Sequence, residues 1–165
     1  PYEEIHLLAA SVIAAGLKDL GLMQGDVDEA VAQGAHALFF PHGLGHMMGL
    51  DVHDMESLGE DSVGYDDSVS RSTQFGRAYL RLAKKLEPGH VITVEPGIYL
   101  IPQLIDSWAA EQRLADFIAY DQLETWKDFG GVRIEDDVLV TDAGYRILGE
   151  PIPKSVEEVE ALRSS

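Results

Sequence analysis

Apolar residues recur along this chain with two different periods, which predict a mixture of helices and strands. The segment YEEIHLLAASVIAAGLKDLG has the period of an amphipathic helix that ends near Gly21. The apolar stripe of this helix consists of Ile5, Leu8, Val12 and Ala15. A short helix is expected next at DVDEAVAQG, where Asp26 and Glu29 have the spacing of a capping box. The apolar run HALFF then predicts a short buried strand.

The middle of the chain is expected to pass from a loop into a helix and then into strands. Residues 55–73 are polar and contain glycines, which is typical of a loop. The segment QFGRAYLRLAKKLEPG predicts a helix that ends at Pro88-Gly89. Its apolar face consists of Phe75, Tyr79, Leu82 and Leu86. The segment VITVEPGIYL is rich in β-branched residues and predicts a strand interrupted at Pro96-Gly97.

The last third of the chain adds further strands and two helical regions. Residues 103–126 contain two tryptophans and scattered apolar positions, which predict a helical insertion. The segments GVRIEDDVLVTD and YRIL are predicted strands joined by a turn. Ser155 and Glu158 form a capping-box pattern that opens a final helix at SVEEVEALR. Helices and strands are mixed without a regular βαβ rhythm, so the pattern favours the α+β class.

Composition narrows the classes of function more than it identifies one. A chain of 165 residues with 45% apolar residues is long enough for one domain with a core. A formal net charge of −17 argues against binding to nucleic acids and to anionic membranes. The sequence contains no cysteine, which excludes disulfides, thiolate zinc sites and cysteine nucleophiles and is compatible with the cytoplasm.

The stretch PHGLGHMMGLDVHD contains three histidines and is the first candidate for chemistry. His42 and His46 have the i, i+4 spacing of a helical zinc motif, but two glycines lie between them. Each glycine costs a helix about 1 kcal/mol relative to alanine, so that geometry is not expected here. The stretch alone leaves two interpretations open, a metal or substrate site and a loop whose histidines face solvent.

Two carboxylates in predicted strands are the second candidate. Glu95 follows an apolar strand in TVEPGIY, where a carboxylate is costly unless it is paired or binds a metal. Arg133 and Glu135 are two positions apart in VRIEDDVLV and therefore share one face of a strand. One imidazole together with two carboxylates is a ligand set that suits Mn, Fe, Co or Zn.

Three segments occur in an order that resembles a known family. HGLGHMMGLDVHD, LEPGHVITVEPGIY and GGVRIEDDVLVT resemble the M24 metallopeptidases of the pita-bread fold. Among these, the Xaa-Pro dipeptidases (prolidases) are the nearest and the Xaa-Pro aminopeptidases come next. The resemblance implies that residues 1–165 are a single fragment, the C-terminal part of a catalytic domain with a curved antiparallel sheet and covering helices.

The resemblance also implies a dinuclear metal site. In it His46 is a ligand of one ion, Glu95 is a ligand of the same ion and carries a proton, and Glu135 bridges the two ions. Mn is the expected metal, with Co, Zn and Fe as alternatives. The family has two further aspartate ligands upstream of the segment that this chain matches, so the chain alone is expected to lack them and to be inactive.

The remaining implied roles concern the substrate. His42 and His53 are not ligands and would contact the scissile carbonyl and the tetrahedral intermediate. Arg133, counted with the catalytic residues, would be a cation that faces either the metal ligands or the substrate. Arg81 would hold the free carboxylate of a dipeptide, and Tyr99 matches an active-site tyrosine. The implied function is metal-dependent hydrolysis of Xaa-Pro dipeptides by a cytoplasmic homodimer. The alternatives are an Xaa-Pro aminopeptidase that acts on longer peptides and a non-catalytic peptide-binding module.

Overall fold

The structure is a computed structural model that describes residues 1–164. Over these residues, six α-helices accompany five short strands. The helices are α1 (Tyr2–Asp19), α2 (Val27–Gln33), α3 (Glu60–Gly64), α4 (Pro102–Ala110), α5 (Tyr120–Leu123) and α6 (Val156–Arg163). No helix in the described residues is both long and apolar enough to cross a membrane.

The strands form two small antiparallel sheets, which confirms the α+β class. The strands are β1 (Val91–Val94), β2 (Gly97–Leu100), β3 (Gly130–Arg133), β4 (Asp136–Thr141) and β5 (Gly144–Ile147). One sheet has the order β1-β4-β5, and the other pairs β2 with β3. Val94 is opposite Asp136 in the first sheet and Gly97 is opposite Arg133 in the second. The strand pair β1–β4 therefore ends where the pair β2–β3 begins, and Glu95 and Glu135 lie at this break between the two sheets.

The first helix confirms the predicted segment but buries a different face from the predicted one. The predicted stripe is largely exposed, since Ile5 is 41% and Leu8 and Val12 are each 64% accessible. The buried face consists of Tyr2, His6, Ala10, Ala14 and Leu17. The helix carries apolar residues on both faces, and the small alanines allow the closer approach to the neighbouring elements. Periodicity alone could not decide between these two stripes.

The apolar run HALFF is buried as predicted but is not a strand. Ala35–Leu38 form a 3₁₀ helix, and all four residues are buried. Gly34 ends α2 in the left-handed conformation with φ 84° and turns the chain directly into this helix. Phe39 and Phe40 follow it into the core with 0% exposure. Burial explains the apolar composition, and the glycine turn explains why no strand forms.

The predicted helix over residues 74–89 is wrong, because only Arg77–Tyr79 form a 3₁₀ turn. Gly76 has φ 86°, which a continuing helix cannot accommodate. Arg71 Nη1 also donates hydrogen bonds to the carbonyl oxygens of Ala78 and Leu80, at 2.9 and 3.0 Å. These are acceptors that a helix would use. The neighbouring loop over residues 55–73 is not wholly irregular, since it contains a 3₁₀ turn at Glu56–Leu58 and α3.

The other predicted elements are confirmed with two changes. The segment GVRIEDDVLVTD is not one strand but breaks after Arg133 into β3 and β4, so Arg133 and Glu135 do not share a strand face, although their side chains form an ion pair. The insertion over residues 103–126 contains most of α4 and all of α5, and α6 begins with the complete Ser155–Glu158 capping box. The box predicted at Asp26 and Glu29 is only half formed. Asp26 accepts a hydrogen bond from the backbone N–H of Glu29, but the Glu29 carboxylate instead accepts one from the side chain of Gln33.

Candidate active site

The histidine stretch runs alongside β1 as an extended segment rather than a helix. The N–H of Thr93 donates to the carbonyl of His46 at 3.0 Å, and the N–H of Glu95 donates to that of Leu44 at 2.7 Å. A Cβ at Gly45 would lie 2.0 Å from the Thr93 carbonyl oxygen, so only glycine fits at this contact. The prediction that glycine prevents a helical histidine pair is confirmed, and the pairing with β1 brings His46 beside Glu95.

His46 and Glu95 each direct an atom with a lone pair, Nε2 and Oε1, towards the other. His46 Nδ1 lies 2.9 Å from the carbonyl oxygen of Met47, which can only accept, so Nδ1 carries the hydrogen. The Nε2 atom is then unprotonated in the neutral ring, and it lies 3.3 Å from Glu95 Oε1. Both side chains are enclosed, with 6% and 13% exposure. Two lone pairs at this distance repel unless a proton or a cation lies between them.

The spacing of these two atoms suits a shared metal ion. Two donors that are each about 2.1 Å from one ion lie roughly 3.0 to 3.4 Å apart at octahedral and tetrahedral angles. The fixed Nδ1–H of His46 also matches the usual arrangement of a metal-binding histidine, whose other nitrogen donates to a carbonyl. Within residues 1–164, however, no group of three histidine, aspartate or glutamate side chains is arranged to hold an ion. The donors therefore fit a metal in kind but not in number.

Thr93 connects the two donors and was not identified from the sequence. Its hydroxyl donates to Glu95 Oε1 at 2.9 Å and accepts the backbone N–H of His46 at 3.0 Å. Thr93 is completely buried, and its carbonyl accepts a hydrogen bond from the Tyr2 hydroxyl at 2.7 Å. Burial, with a smaller contribution from Glu95, raises the pKa of Tyr2, so this hydroxyl stays a donor. A polar residue two positions before Glu95 in an apolar strand was the available signal.

Arg133 joins the two predicted carboxylates at the break between the sheets. Its Nη2 lies 3.0 Å from Glu135 Oε2, and its Nε lies 3.8 Å from Glu95 Oε2. A hydrogen bond with Tyr99, together with the attraction of Glu135, raises the pKa of the Arg133 guanidinium against the opposing effect of burial. Glu135 thus approaches the His46–Glu95 pair through a shared arginine.

His42 is held by hydrogen bonds at both ring nitrogens. Nδ1 lies 2.7 Å from the carbonyl oxygen of Gly43, so it carries the hydrogen of the neutral ring. Nε2 lies 3.0 Å from the Tyr99 hydroxyl and accepts its hydrogen bond. In this arrangement the neutral ring has no free N–H to give a substrate.

One cavity of about 310 Å³ brings most of the predicted site residues together. Its lining consists of His42, Gly43, Gly45, His46, His53, Tyr79, Arg81, Glu95 and Arg133. The His53 ring stands edge-on to the His46 ring, with centroids 4.4 Å apart. Glu135 and Tyr99 do not line the cavity and reach it through Arg133 and His42. Besides Thr93, the sequence reasoning missed Tyr79 and the Arg81 partner Glu56.

Known proteins are similar to this chain over nearly its whole length. The model of metallopeptidase family M24 matches residues 2–142. The Xaa-Pro dipeptidase of Rattus norvegicus is 44% identical over 160 residues, which are 97% of this chain and 31% of the rat protein. A probable Xaa-Pro aminopeptidase of Aspergillus clavatus is 42% identical over 161 residues, 98% of this chain and 32% of that protein. The chain thus spans about a third of the length of these relatives.

Solved structures give a similar result. Zn-substituted aminopeptidase P of E. coli, in complex with product, has 35% identity and a TM-score of 0.64. The match covers 98% of this chain and 28% of the E. coli chain. Proline aminopeptidase P II of Yersinia pestis has 32% identity and the same TM-score, and the match covers 98% of this chain and 29% of that one.

Proposed function

The chain belongs to metallopeptidase family M24, and on this premise we propose that its cavity serves the metal-dependent hydrolysis of Xaa-Pro dipeptides. Its α+β architecture belongs to the pita-bread fold of that family, and its relatives include Xaa-Pro dipeptidases. The observation that carries the proposal is the 3.3 Å approach of His46 Nε2 to Glu95 Oε1 inside a cavity lined by Arg81. Because the relatives are about three times as long, the activity is assigned to a protein of their length that contains this chain.

The metal would be held by His46, Glu95 and Glu135. Two divalent ions are proposed, with Mn expected and Co, Zn or Fe also suited to these donors. Ions held by these residues would supply a water of lowered pKa and would polarise the scissile carbonyl. Glu95 Oε1 accepts a hydrogen bond from the Thr93 hydroxyl. This leaves Oε2 to take a proton from the attacking water and to pass it to the proline nitrogen of the leaving group.

The chain alone is proposed to bind metal weakly and to be inactive. The support is the donor count, because the described residues do not assemble three metal-binding side chains. We propose that residues 1–165 are the C-terminal part of a catalytic domain and that two aspartates from outside them complete the site. Calorimetric titration with Mn²⁺ tests this point. Tight binding of two ions per chain would contradict it.

The histidines outside the metal pair are proposed to face the substrate. His53 is exposed at the cavity and can donate to the carbonyl oxygen of the scissile bond. His42 can donate to the developing oxyanion only when its Nε2 carries a proton, as in the imidazolium, and the Tyr99 hydroxyl has given up its place at Nε2 to the substrate. Tyr99 thereby keeps His42 in position until substrate enters.

Arg81 is proposed to hold the free carboxylate of the dipeptide. A guanidinium binds a carboxylate with paired hydrogen bonds, so a peptide that extends beyond proline would not place its carboxylate there. Proline's nitrogen lacks an N–H, which makes peptidases that bind that N–H poorly suited to this bond.

The test uses a protein of the relatives' length that contains this chain and compares Gly-Pro with an Xaa-Pro tripeptide. Hydrolysis of Gly-Pro that depends on added Mn²⁺ is expected. Arg81→Ala should lower kcat/KM for Gly-Pro by about tenfold or more and narrow the preference over the tripeptide. An unchanged preference would refute the role of Arg81. Failure to cleave either peptide would refute the function.

A second candidate is an Xaa-Pro aminopeptidase that acts on longer peptides. It is favoured by the relative from Aspergillus clavatus and by the solved aminopeptidases, and faster cleavage of the tripeptide would identify it. A non-catalytic peptide-binding module is less well supported, because His46, Glu95 and Glu135 are all present. A cytoplasmic homodimer completes the proposal, and sedimentation of the protein tests the dimer.

A further inference from the structure

The loop over residues 55–73 brings a carboxylate to Arg81, one of the residues that line the cavity. Glu56 Oε2 lies 3.1 Å from Arg81 Nη1. The Glu56 side chain is 13% exposed, whereas that of Arg81 is 40% exposed. The carboxylate is therefore the enclosed partner, and the guanidinium keeps an accessible side at the cavity. This pair differs from an ordinary surface ion pair, in which both groups are solvated.

The backbone around this pair is fixed on both sides of Arg81. The Tyr65 hydroxyl donates to the carbonyl of Leu80 at 2.8 Å, and the carbonyl of Gly64 accepts the N–H of Ala83 at 2.8 Å. A Cβ at Gly64 would lie 1.7 Å from the Arg81 carbonyl oxygen, so the two chain segments are in backbone contact. The loop thus holds Glu56 at a defined place relative to Arg81.

The turn that carries Glu56 begins with an unusual backbone conformation. Met55 has φ 56°, in the left-handed region that residues other than glycine rarely adopt. Its side chain is 54% exposed, so burial of Met55 does not account for this conformation. The next three residues form the 3₁₀ turn Glu56–Leu58, which directs the Glu56 carboxylate inward. Conformations of this kind persist where surrounding contacts impose them, often at functional sites.

We propose that Glu56 is a positioning residue that holds the guanidinium of Arg81 for the free carboxylate of the substrate. The proposal rests on the carboxylate-binding role of Arg81 in the proposed function. Arginine has five N–H donors, and the described residues give its guanidinium one ionic partner, at Nη1. The other N–H groups stay available to a ligand. An arginine that is already ordered loses less side-chain freedom when the ligand binds.

Substitution of Glu56 by its neutral isostere glutamine distinguishes the positioning of Arg81 from the effect of the negative charge. Glu56→Gln keeps an acceptor oxygen for Arg81 but removes the negative charge that repels an incoming carboxylate. Glu56→Ala removes both. If holding is the function of Glu56, the alanine variant should bind carboxylate ligands more weakly than the native chain, and the glutamine variant should restore the binding.

The experiment titrates the chain with L-proline and with L-prolinamide, which lacks the carboxylate, and follows backbone amide resonances by NMR. The native chain should prefer L-proline, and Arg81→Ala should abolish this preference. Glu56→Ala should weaken L-proline binding about fivefold and leave prolinamide binding unchanged. Glu56→Gln should bind L-proline at least as tightly as the native chain. Asp67→Ala, at an exposed aspartate of the same loop, is the matched control and should have no effect.

The outcomes distinguish two failures. If Arg81→Ala abolishes the preference but Glu56→Ala does not weaken L-proline binding, or weakens both ligands equally, the positioning role of Glu56 is wrong and Arg81 keeps its own. A glutamine variant as weak as the alanine variant would also overturn it. If the native chain shows no preference, or Arg81→Ala retains it, the carboxylate role of Arg81 fails and the proposal for Glu56 falls with it.

Discussion

Two groups of histidines in this molecule have opposite surroundings. In the cavity, His42 and His46 each have a hydrogen bond from Nδ1 to a carbonyl, and His46 Nε2 is left directed at a carboxylate. In the core, His6 and His36 are completely buried, their ring centroids are 6.1 Å apart, and no ring nitrogen has a hydrogen-bond partner in the described residues. Both are clusters of imidazoles, but only the first has fixed tautomers and an oriented lone pair.

Hydrogen-bond partners, rather than burial, distinguish the cavity imidazoles from the core pair. His46 is nearly as buried as the core pair, at 5% exposure. Burial lowers the pKa of His6 to about 3 and that of His36 to about 4, with repulsion from Arg77 adding to each. The core pair is therefore neutral across the physiological range and packs as aromatic rings, with His6 against Phe40 at 5.2 Å.

The largest expected effect is on the pH dependence of stability. The folded pKa of each core histidine lies below the unfolded value of about 6.5, so the unfolded chain takes up protons first as the pH falls. Stability from this source is complete above about pH 6.5 and is lost as the pH falls towards 4 and 3. Between pH 7 and 5 the loss is about 2 kcal/mol for each histidine, or about 4 kcal/mol in total.

Urea denaturation at the two pH values measures this loss. The double variant His6→Leu, His36→Leu should lose about 4 kcal/mol less than the native chain between pH 7 and 5. Leu8→Gln, at an exposed and uncharged position of the same helix as His6, should keep the native pH dependence. An equal loss in the native chain and in the double variant would show that the core pair does not resist protonation.

The next largest effect is expected from a substitution that displaces the cavity histidines and leaves the core pair His6 and His36 unchanged. Gly45→Ala places a Cβ 2.0 Å from the Thr93 carbonyl oxygen and should separate the histidine stretch from β1, at a cost of about 3 kcal/mol. Gly16→Ala is the matched control. Gly16 lies inside α1, and apart from the neighbouring backbone of that helix a Cβ there would meet no atom within 4 Å. It should raise the free energy of unfolding by about 0.5 to 1 kcal/mol. Equal effects of the two alanines would remove the argument for close backbone approach.

A smaller effect tests how the cavity orients its donors. Thr93→Val is nearly isosteric but leaves the buried N–H of His46 without its acceptor and Glu95 without a donor, which should cost about 2 kcal/mol. Thr93→Ser retains the hydroxyl and should restore most of that stability. Chemical denaturation of both variants gives the comparison. If valine were as stable as threonine, Thr93 would not brace the two donors.

The sequence was sufficient for most strands and for six of the side chains that line the cavity, namely those of His42, His46, His53, Arg81, Glu95 and Arg133. The motifs around His46 and Glu95 can be read locally because each is a polar residue set against apolar neighbours or glycine, whereas Glu135 is followed by two aspartates and gives no such signal. Their assembly depends on the break shared by the two sheets, which only the register reveals. Thr93 and Glu56 were missed for the same reason, since their partners are known only once the chain has folded.

The elements that were predicted wrongly failed through tertiary contacts. Residues 74–89 have helical periodicity, but Gly76 and the hydrogen bonds from Arg71 to Ala78 and Leu80 prevent the helix. The first helix has two apolar stripes, and packing selected the one containing His6. The local sequence pattern indicates which secondary structures and which buried faces are possible, and contacts with distant residues decide which of them forms.

The central claim is that His46, and not the core pair, offers its Nε2 to a metal ion. The most direct measurement is titration of the chain with Zn²⁺, an accepted diamagnetic alternative to Mn²⁺, followed by imidazole ¹H–¹⁵N NMR. We expect the Nε2 resonance of His46 to shift, those of His6 and His36 to stay unchanged, and His46→Asn to abolish the binding. A shift at the core pair, or equal Zn²⁺ affinity in the native chain and His46→Asn, would contradict the claim.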